Sequence, residues 1–212
     1  MNALNNTGTS PVIYIVDDDR LARDSLQWLV ESAHLSALAF EHGERFLQHI
    51  NRASQGCVIL DIRMPDINGM ELYARLKASG IAIPVIIVTG HGDVAMAVRA
   101  MKAGAFDFIE KPYNDALMLE LIQTAMSQDR QSREHRHRIE NIQYRINQLT
   151  PREHEIMTFV LSAKQNKIIA HELGISIKTV ELHRANLMTK MNAGSPTELV
   201  RMAMLAGVDS LA

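Results

Sequence analysis

The sequence predicts two parts: an α/β domain built on a doubly wound, five-stranded parallel sheet, and a smaller all-α domain. Three observations carry this prediction. In the first half of the 212 residues, short β-branched runs alternate with amphipathic helical patterns; beyond about residue 127 only helical patterns remain; and the balance of charge changes at the same place. Alternating strands and helices are typical of parallel sheets covered by helices. We therefore expect three regions: residues 10–126, a helical linker over 127–147, and residues 148–212.

The five predicted strands are short, and three of them are apolar at nearly every position. A strand with this pattern is usually covered on both faces of its sheet. The strands are VIYIV (12–16), LSALAF (35–40), CVIL (57–60), PVIIVT (84–89) and FDFI (106–109). The second and fifth have the weaker strand pattern.

The helical patterns of the first region lie between and after these strands. They cover residues 21–33, 44–50, 70–78 and 94–103, and a last one begins at residue 116. Parallel strands joined by helices bring their carboxyl ends to one edge of the sheet, and ligands bind at that edge in folds of this kind. The residues that end the strands are therefore the candidates for function.

Residues 127–147, SQDRQSREHRHRIENIQYRIN, contain neither Gly nor Pro and show no strand pattern. Ile139, Ile142, Ile146 and Leu149 recur at spacings of three and four, as in a coiled coil, but the stripe covers fewer than two heptads. This segment predicts a helical connector with at most weak pairing between copies.

The last region begins with LTPREHEI, in which Thr150 is the predicted N-cap, Pro151 the first helical residue and Glu153 the third. Four helices are predicted, over residues 151–162, 166–173, 178–191 and 197–206. The second and third are separated by a short turn with Gly174 and Ser176, which is a helix-turn-helix pattern. Its predicted core residues are all apolar: Ile168, Ile169, Leu173, Ile175, Val180, Leu187 and Met191.

The overall formal charge of −2 conceals a contrast between regions. Residues 1–126 carry a net charge of −5, residues 127–147 carry +2, and residues 148–212 carry +1, so nucleic acid stays among the candidate partners. The chain has a single cysteine, no apolar run of the roughly 18 residues that a membrane span needs, and no signal-peptide pattern in MNALNNTGTSP. We expect a cytoplasmic protein without disulfides and without a membrane partner.

Polar residues follow four of the predicted strands. The first strand ends in residues 17–19, which are all Asp, the third in Asp61, the fourth in Thr89 and the fifth in Lys111. Each alone is usually a helix cap, a turn residue or a surface charge. Together they predict a carboxylate cluster that suits Mg²⁺, in which one carboxylate can attack phosphorus while the hydroxyl and the ammonium group stabilise the phosphoryl oxygens.

Three segments, IVDDD, VILDIRMPDINGMEL and VTGHGDVAMAVRAMKAGAFDFIEKPY, resemble the receiver domain of two-component response regulators, which has a flavodoxin-like fold. The resemblance spans residues 12–126 in the expected order. It implies that Asp61 is the phosphoacceptor, that Asp17, Asp18 and Asp61 bind Mg²⁺, and that the backbone carbonyl of Arg63 completes the metal site. The implied phosphodonor is a sensor histidine kinase.

The same resemblance assigns roles at the fourth and fifth strands. Thr89 and Phe108 correspond to the switch pair, and Lys111 to the lysine that contacts the phosphoryl group, with a cis peptide bond to Pro112. Phe108 has no hydroxyl, so we expect its switching to rely on packing of the ring. The family implies dimerisation on phosphorylation through the fourth helix and fifth strand, here about residues 94–109.

The last region resembles the LuxR-type helix-turn-helix in the segments LTPRE, NKIIA, LGIS, KTVELHRANLMTKM and LVRMA. Both halves of the chain resemble the FixJ-like subgroup of that family. This implies sequence-specific binding of promoter DNA by a homodimer, with RNA polymerase as a candidate further partner. Glu181, Leu182 and Ala185 fall where relatives touch bases, although Glu181 has an ion pair with Arg184 as an alternative role. Further candidates for DNA contacts are Lys167, Lys178, Thr179, His183, Arg184 and Lys190.

Two functions other than DNA-binding regulation also fit parts of the sequence. A helical C-terminal half is also typical of protein-interaction modules, and an Asp nucleophile with Mg²⁺ on a parallel sheet also occurs in phosphatases. Such phosphatases usually need a second Asp two residues after the nucleophile, where this chain has Arg63. We therefore expect no enzyme, only autocatalytic phosphoryl acceptance and slow self-dephosphorylation.

Overall fold

The computed structural model of the protein describes residues 10–90 and 94–208. The chain divides into two compact units, and the division falls between Ser132 and Arg133. The first unit is the α/β part, and the described residues of the second are helical apart from short turns. No helix in the two described ranges is long and apolar enough to cross a membrane.

The first unit is built on a single sheet whose five strands are all parallel, in the order β2-β1-β3-β4-β5. The strands are β1 (Val12–Val16), β2 (Ser36–Phe40), β3 (Gly56–Asp61), β4 (Val85–Thr89) and β5 (Asp107–Glu110). The predicted sheet is confirmed, and the predicted strands differ from the observed ones by no more than one residue at either end. The carboxyl ends of β1, β3, β4 and β5 therefore lie along one edge.

Helices cover both faces of this sheet because successive side chains of a strand point to opposite faces. Ile13 and Ile15 of β1 belong to an apolar cluster with the first and fifth helices, whereas Tyr14 and Val16 belong to a cluster with the second, third and fourth. The five helices are α1 (Arg20–Ser32), α2 (Gly43–His49), α3 (Gly69–Ala78), α4 (Val94–Lys102) and α5 (Asp115–Asn147).

Helix α5 is one continuous helix of 33 residues, and the predicted linker, residues 127–147, forms its C-terminal part. No Gly or Pro interrupts it, which explains why the two predicted helices join. In the first unit its Met118 and Ile122 are buried against the sheet, and Asp129 Oδ2 accepts a hydrogen bond from the backbone N–H of Gly56 at 3.0 Å. In the second unit, Ile142 and Ile146 are buried in the helical core. Part of the apolar stripe of the linker is thus buried within the chain, and weak pairing between copies stays a prediction.

The second unit contains α6 (Pro151–Leu161), α7 (Asn166–Leu173), α8 (Ile177–Met191) and α9 (Pro196–Leu205). Thr150 and Glu153 form the predicted capping box at the start of α6. Helix α7 ends at Gly174, whose φ of 62° is a conformation that glycine adopts without strain, and Ser176 then caps α8. The predicted helix-turn-helix is therefore present.

The core of the second unit differs from the predicted core at one position. Ile169, Val180, Leu187 and Met191 are buried as predicted, and Leu173 and Ile175 pack against them. Ile168 is 46% exposed, so its assignment to the core was wrong. Neighbouring residues on a helix point about 100° apart, and the short α7 turns Ile169 rather than Ile168 toward the core.

Candidate functional site

Two buried carboxylates and one ammonium group meet at the carboxyl edge of the sheet. The Nζ of Lys111 donates to Asp17 Oδ2 at 2.6 Å and to Asp61 Oδ1 at 2.8 Å. Asp17 and Asp61 are only 5% and 6% exposed. Buried charges are costly unless they are paired, so the Lys111 ammonium compensates both carboxylates at once.

The backbone holds the remaining oxygens of these carboxylates. The N–H of Arg63 donates to Asp61 Oδ2 at 2.6 Å, and the N–H of Asp19 donates to Asp17 Oδ1 at 3.0 Å. The guanidinium of Arg23, on α1, donates to the backbone carbonyl of Asp17 at 2.7 Å. Both carboxylates are thus held between a fixed peptide group and Lys111, which sets their orientation.

The electrostatics of the cluster keep Lys111 charged. Burial alone lowers the pKa of the Lys111 ammonium, but the hydrogen bonds and charges of Asp17 and Asp61 outweigh burial and raise that pKa above its usual value. Burial is the largest influence on Asp17 and raises the pKa of its carboxyl, against the opposing effect of Lys111. The two carboxylates share a single lysine, so a cation that approaches them meets a net negative charge.

The other predicted residues of this edge have different surroundings. Asp18 is exposed, and Asp19 caps α1 by accepting from the N–H of Leu21 at 2.9 Å. Thr89 is fully buried at the end of β4, and its carbonyl accepts from the N–H of Lys111 at 2.8 Å. The structure brings Asp17, Asp61 and Lys111 together. In the described part of the chain, no three His, Cys, Asp or Glu side chains are gathered as a ready metal site.

Phe108 lies on β5, beside Ile87 of β4, and its half-buried ring packs against the apolar cluster on the α3 and α4 side of the sheet. The peptide bond between Lys111 and Pro112 is cis, as expected. On α4 an apolar stripe faces solvent: Val94, Val98 and Met101 are all exposed at spacings of four and three. The switch and dimerisation roles of these residues stay predictions.

Two residues near the site were not predicted from the sequence. A Cβ on Gly69 would lie 2.2 Å from the carbonyl oxygen of Asp61, so glycine allows α3 to begin directly against the end of β3. The N–H of Gly69 also donates to the carbonyl of Ile62 at 2.9 Å. The Gly in the segment DINGMEL signals a tight approach, whereas nothing local marks Arg23, whose contact depends on the rotation of α1.

The predicted DNA-contacting residues lie along α8 and at the start of α7. Glu181, Leu182 and Ala185 are exposed, as are Lys167 and Lys178, while His183 and Arg184 are half-buried. Thr179 shares a hydrogen bond of 2.8 Å between its hydroxyl and that of the cap Ser176. Within the described residues no ion pair joins Glu181 to Arg184, so the Glu181 carboxylate is available for an outside donor.

Lys190 is held by its own domain. Its Nζ donates to Glu153 Oε2 at 2.7 Å, and the same oxygen accepts from the N–H of Thr150 at 2.8 Å and from its hydroxyl at 3.0 Å. Burial raises the pKa of the Glu153 carboxyl, but the bonds from Lys190 and Thr150 outweigh it, and the pKa is lowered below its usual range. A change at Lys190 therefore alters folding as well as any contact with DNA.

We expect the second unit to lose stability in acid through Glu153. Because its pKa is lower folded than unfolded, this carboxylate contributes stability above the unfolded value of about 4.3, and the contribution is lost as pH falls through the folded pKa. Glu153→Gln should cost about 1–2 kcal/mol at neutral pH and flatten the loss in acid. Urea unfolding by circular dichroism measures this, with the fluorescence of Trp28, the single tryptophan, reporting on the first unit.

Glu155→Gln is the matched control, because Glu155 is an exposed neighbour on α6 that pairs with Arg152 at 2.7 Å. It should leave the acid dependence of the second unit unchanged. Equal acid dependence in Glu153→Gln and in the parent protein would show that this ion pair does not set the acid stability.

The comparisons with protein families match both units. Residues 13–123 match the response regulator receiver domain, and residues 147–203 match the bacterial regulatory proteins of the luxR family. The transcriptional regulatory protein FixJ of Bradyrhizobium diazoefficiens is 44% identical over 92% of this chain and 96% of its own length. The response regulator protein TodT of Pseudomonas putida is 42% identical over 90% of this chain and 84% of its own.

Solved structures agree over nearly the whole chain. The response regulator StyR has a TM-score of 0.85 at 36% identity, covering 92% of this chain and 99% of its own. Full-length FixJ from B. japonicum has a TM-score of 0.58 at 44% identity, covering 94% and 98%. A receiver domain implies a sensor kinase as partner, and a LuxR-type domain implies DNA binding. The chain therefore belongs to the FixJ-like response regulators, the transcriptional regulators that join a receiver domain to a LuxR-type helix-turn-helix.

Proposed function

We propose that a sensor histidine kinase transfers a phosphoryl group to Asp61, and that the transfer promotes dimerisation and binding of promoter DNA. The observation that supports it most is the contact of Lys111 with both Asp17 and Asp61 at the carboxyl edge of the sheet. A fixed carboxylate with a compensating ammonium group supplies the positioning and charge that phosphoryl transfer requires.

The residues of the site divide the work of the transfer. An Asp61 carboxylate oxygen forms the new bond to phosphorus while the bond to the donor nitrogen breaks, and the electron pair leaves with the donor imidazole. Lys111 then neutralises phosphoryl charge, and the Thr89 hydroxyl donates to a phosphoryl oxygen. Water slowly hydrolyses the aspartyl phosphate, which returns the protein to its unmodified state. We propose no catalytic turnover of another substrate.

The donor set suits Mg²⁺, which prefers carboxylate and carbonyl oxygens. Asp17 and Asp61 are buried with one ammonium group between them, and the exposed Asp18 follows Asp17 directly. We propose that these three carboxylates and the carbonyl of Arg63 hold the ion, which when bound neutralises charge on the phosphoryl oxygens.

Dimerisation is proposed through residues 94–109. Val94, Val98 and Met101 leave an apolar stripe exposed on α4, and half-buried Phe108 lies on the adjacent β5. Inward movement of Thr89 toward the phosphoryl group leaves room for the Phe108 ring to repack, which changes the surface offered to a second copy. Residues 127–147 would serve as the linker to the DNA-binding domain, and the regulator would act in the cytoplasm with RNA polymerase as a further partner.

One experiment tests the whole proposal. The protein is incubated with Mg²⁺ and a small phosphodonor, and intact mass, sedimentation and DNA affinity are measured on the same samples. The DNA is selected by the loaded protein from a pool of random duplexes. The mass of one added phosphoryl group should appear together with dimers and tighter DNA binding. A phosphorylated protein that stays monomeric with unchanged DNA affinity would contradict the proposed control.

Lys178 and Glu181 separate phosphate contacts from base contacts. Lys178→Ala should weaken binding to all sequences similarly and reduce the salt slope by about 1, because one phosphate contact is lost. Glu181→Ala should keep the slope near its parent value and reduce discrimination between sites by about 1–3 kcal/mol. Binding titrations on selected and scrambled duplexes over a salt series measure both effects. A uniform loss for both variants would overturn the assignment of Glu181 to base reading.

A further inference from the structure

Part of the positive charge of the second unit is paired with carboxylates of the same unit, whereas Lys167, Lys178 and Arg184 are in no ion pair of the described residues. Four of its cations are bound within the unit, and they are paired as Arg152 with Glu155, Lys164 with Glu172, Lys190 with Glu153 and, at 4.0 Å, Arg201 with Glu198. DNA affinity depends on how many phosphates are neutralised by lysine and arginine. Further phosphate contacts therefore have to come from basic residues outside these pairs.

The end of α5 contacts the carboxyl end of α8 through one arginine. The Arg145 Nη1 donates to the carbonyl of Met191 at 3.0 Å, which ties the last turns of α5 to the carboxyl end of α8. Arg138 lies seven residues before Arg145, which places it on the same face of the helix, about 10 Å along its axis. Arg138 is exposed, and no ion pair in the described ranges involves it.

We propose that Arg138 contacts the phosphate backbone of the DNA that α8 binds, so that the linker helix widens the footprint beyond the helix-turn-helix. This inference rests on the proposed function. Lys190, at the same end of α8, is neutralised by Glu153. The charge of Lys190 is thus partly cancelled, whereas the guanidinium of Arg138, on the same face of α5 as Arg145, keeps its full charge for a phosphate.

Arg136 offers a matched control within the same helix. It has the same charge and is also exposed, and it too takes part in no ion pair within the described residues. Two residues along an α-helix correspond to a rotation of about 200°, so Arg136 points away from the face of Arg138 and Arg145. Diffuse attraction by the basic linker affects both arginines equally, whereas a phosphate contact affects only one of them.

The test compares Arg138→Gln with Arg136→Gln in the full-length, phosphodonor-loaded protein. Duplexes selected by the parent protein are titrated over a salt series, and circular dichroism checks the helix content. Arg138→Gln should bind about three- to tenfold more weakly at low salt, with a salt slope smaller by about 1, and Arg136→Gln should keep the parent slope.

Equal slopes for Arg138→Gln and the parent protein would overturn the proposal, and so would equal losses in both variants. A parent protein that binds no duplex in a salt-dependent way would overturn the proposed DNA binding itself. That outcome is distinguishable, because it appears before any variant is compared.

Discussion

The Asp61→Asn variant is expected to gain no phosphoryl mass from a small phosphodonor and to show no increase in dimer or DNA affinity. The side chain keeps its size, and its amide oxygen can still accept from the N–H of Arg63, which now lies 2.6 Å from Asp61 Oδ2. The carboxylate nucleophile is lost, however, and with it the negative charge that Lys111 compensates. Intact-mass measurement and DNA titration on the same samples record the result.

Asp24→Asn is the control for this variant. Asp24 is an exposed carboxylate on α1 that pairs with Arg20 at 3.4 Å, so its removal should leave phosphorylation and activation unchanged. Phosphoryl mass on the Asp61→Asn protein together with full activation would place the acceptor elsewhere in the chain.

Gly69→Ala is expected to destabilise the receiver domain by about 3 kcal/mol, the upper end of the usual cost of overpacking. The added Cβ would lie 2.2 Å from the carbonyl oxygen of Asp61 and 2.8 Å from the Cα of Ile62, so backbone rather than a flexible side chain has to move. The shift occurs at the phosphoacceptor itself, and the rate of phosphorylation should therefore fall as well. Urea unfolding followed by Trp28 fluorescence gives the free energy of unfolding.

Gly90→Ala provides the comparison, because a Cβ at Gly90 meets no atom of the described residues within 4 Å. Its effect on stability should stay within about 0.5 kcal/mol. If both alanine variants were equally stable, the close approach of α3 to β3 would not be what demands glycine at position 69.

The sheet and its functional edge could be predicted because they depend on local pattern and on simple topology. Runs such as VIYIV and PVIIVT are short, apolar and β-branched, and parallel strands place Asp17, Asp61 and Lys111 at one edge whatever the details of packing. Residues 17–19 could not be separated by type, since all three are Asp. The structure gives them different places: one buried, one exposed and one capping a helix.

Other features could not be predicted because they join distant elements. Lys190 was predicted as a DNA contact from its place on α8, and that role stays a prediction, but its bond to Glu153 spans 37 residues and depends on how α8 packs on α6. Likewise the exposure of Ile168 depends on which side of the short α7 faces the core. The helix predicted to begin at residue 116 and the helical linker form one helix, α5, because no Gly or Pro between them marks a helix end.

The course of α5 has a practical consequence for dividing the protein. The luxR-family match begins at residue 147, yet Ile142 and Ile146 are already buried in the helical core of the second unit. A fragment that begins at residue 147 would lack both isoleucines, so the apolar surface that they cover would be exposed and prone to aggregation. An excised DNA-binding domain should therefore begin in the exposed stretch before Ile142, where removing a few turns of helix uncovers no core.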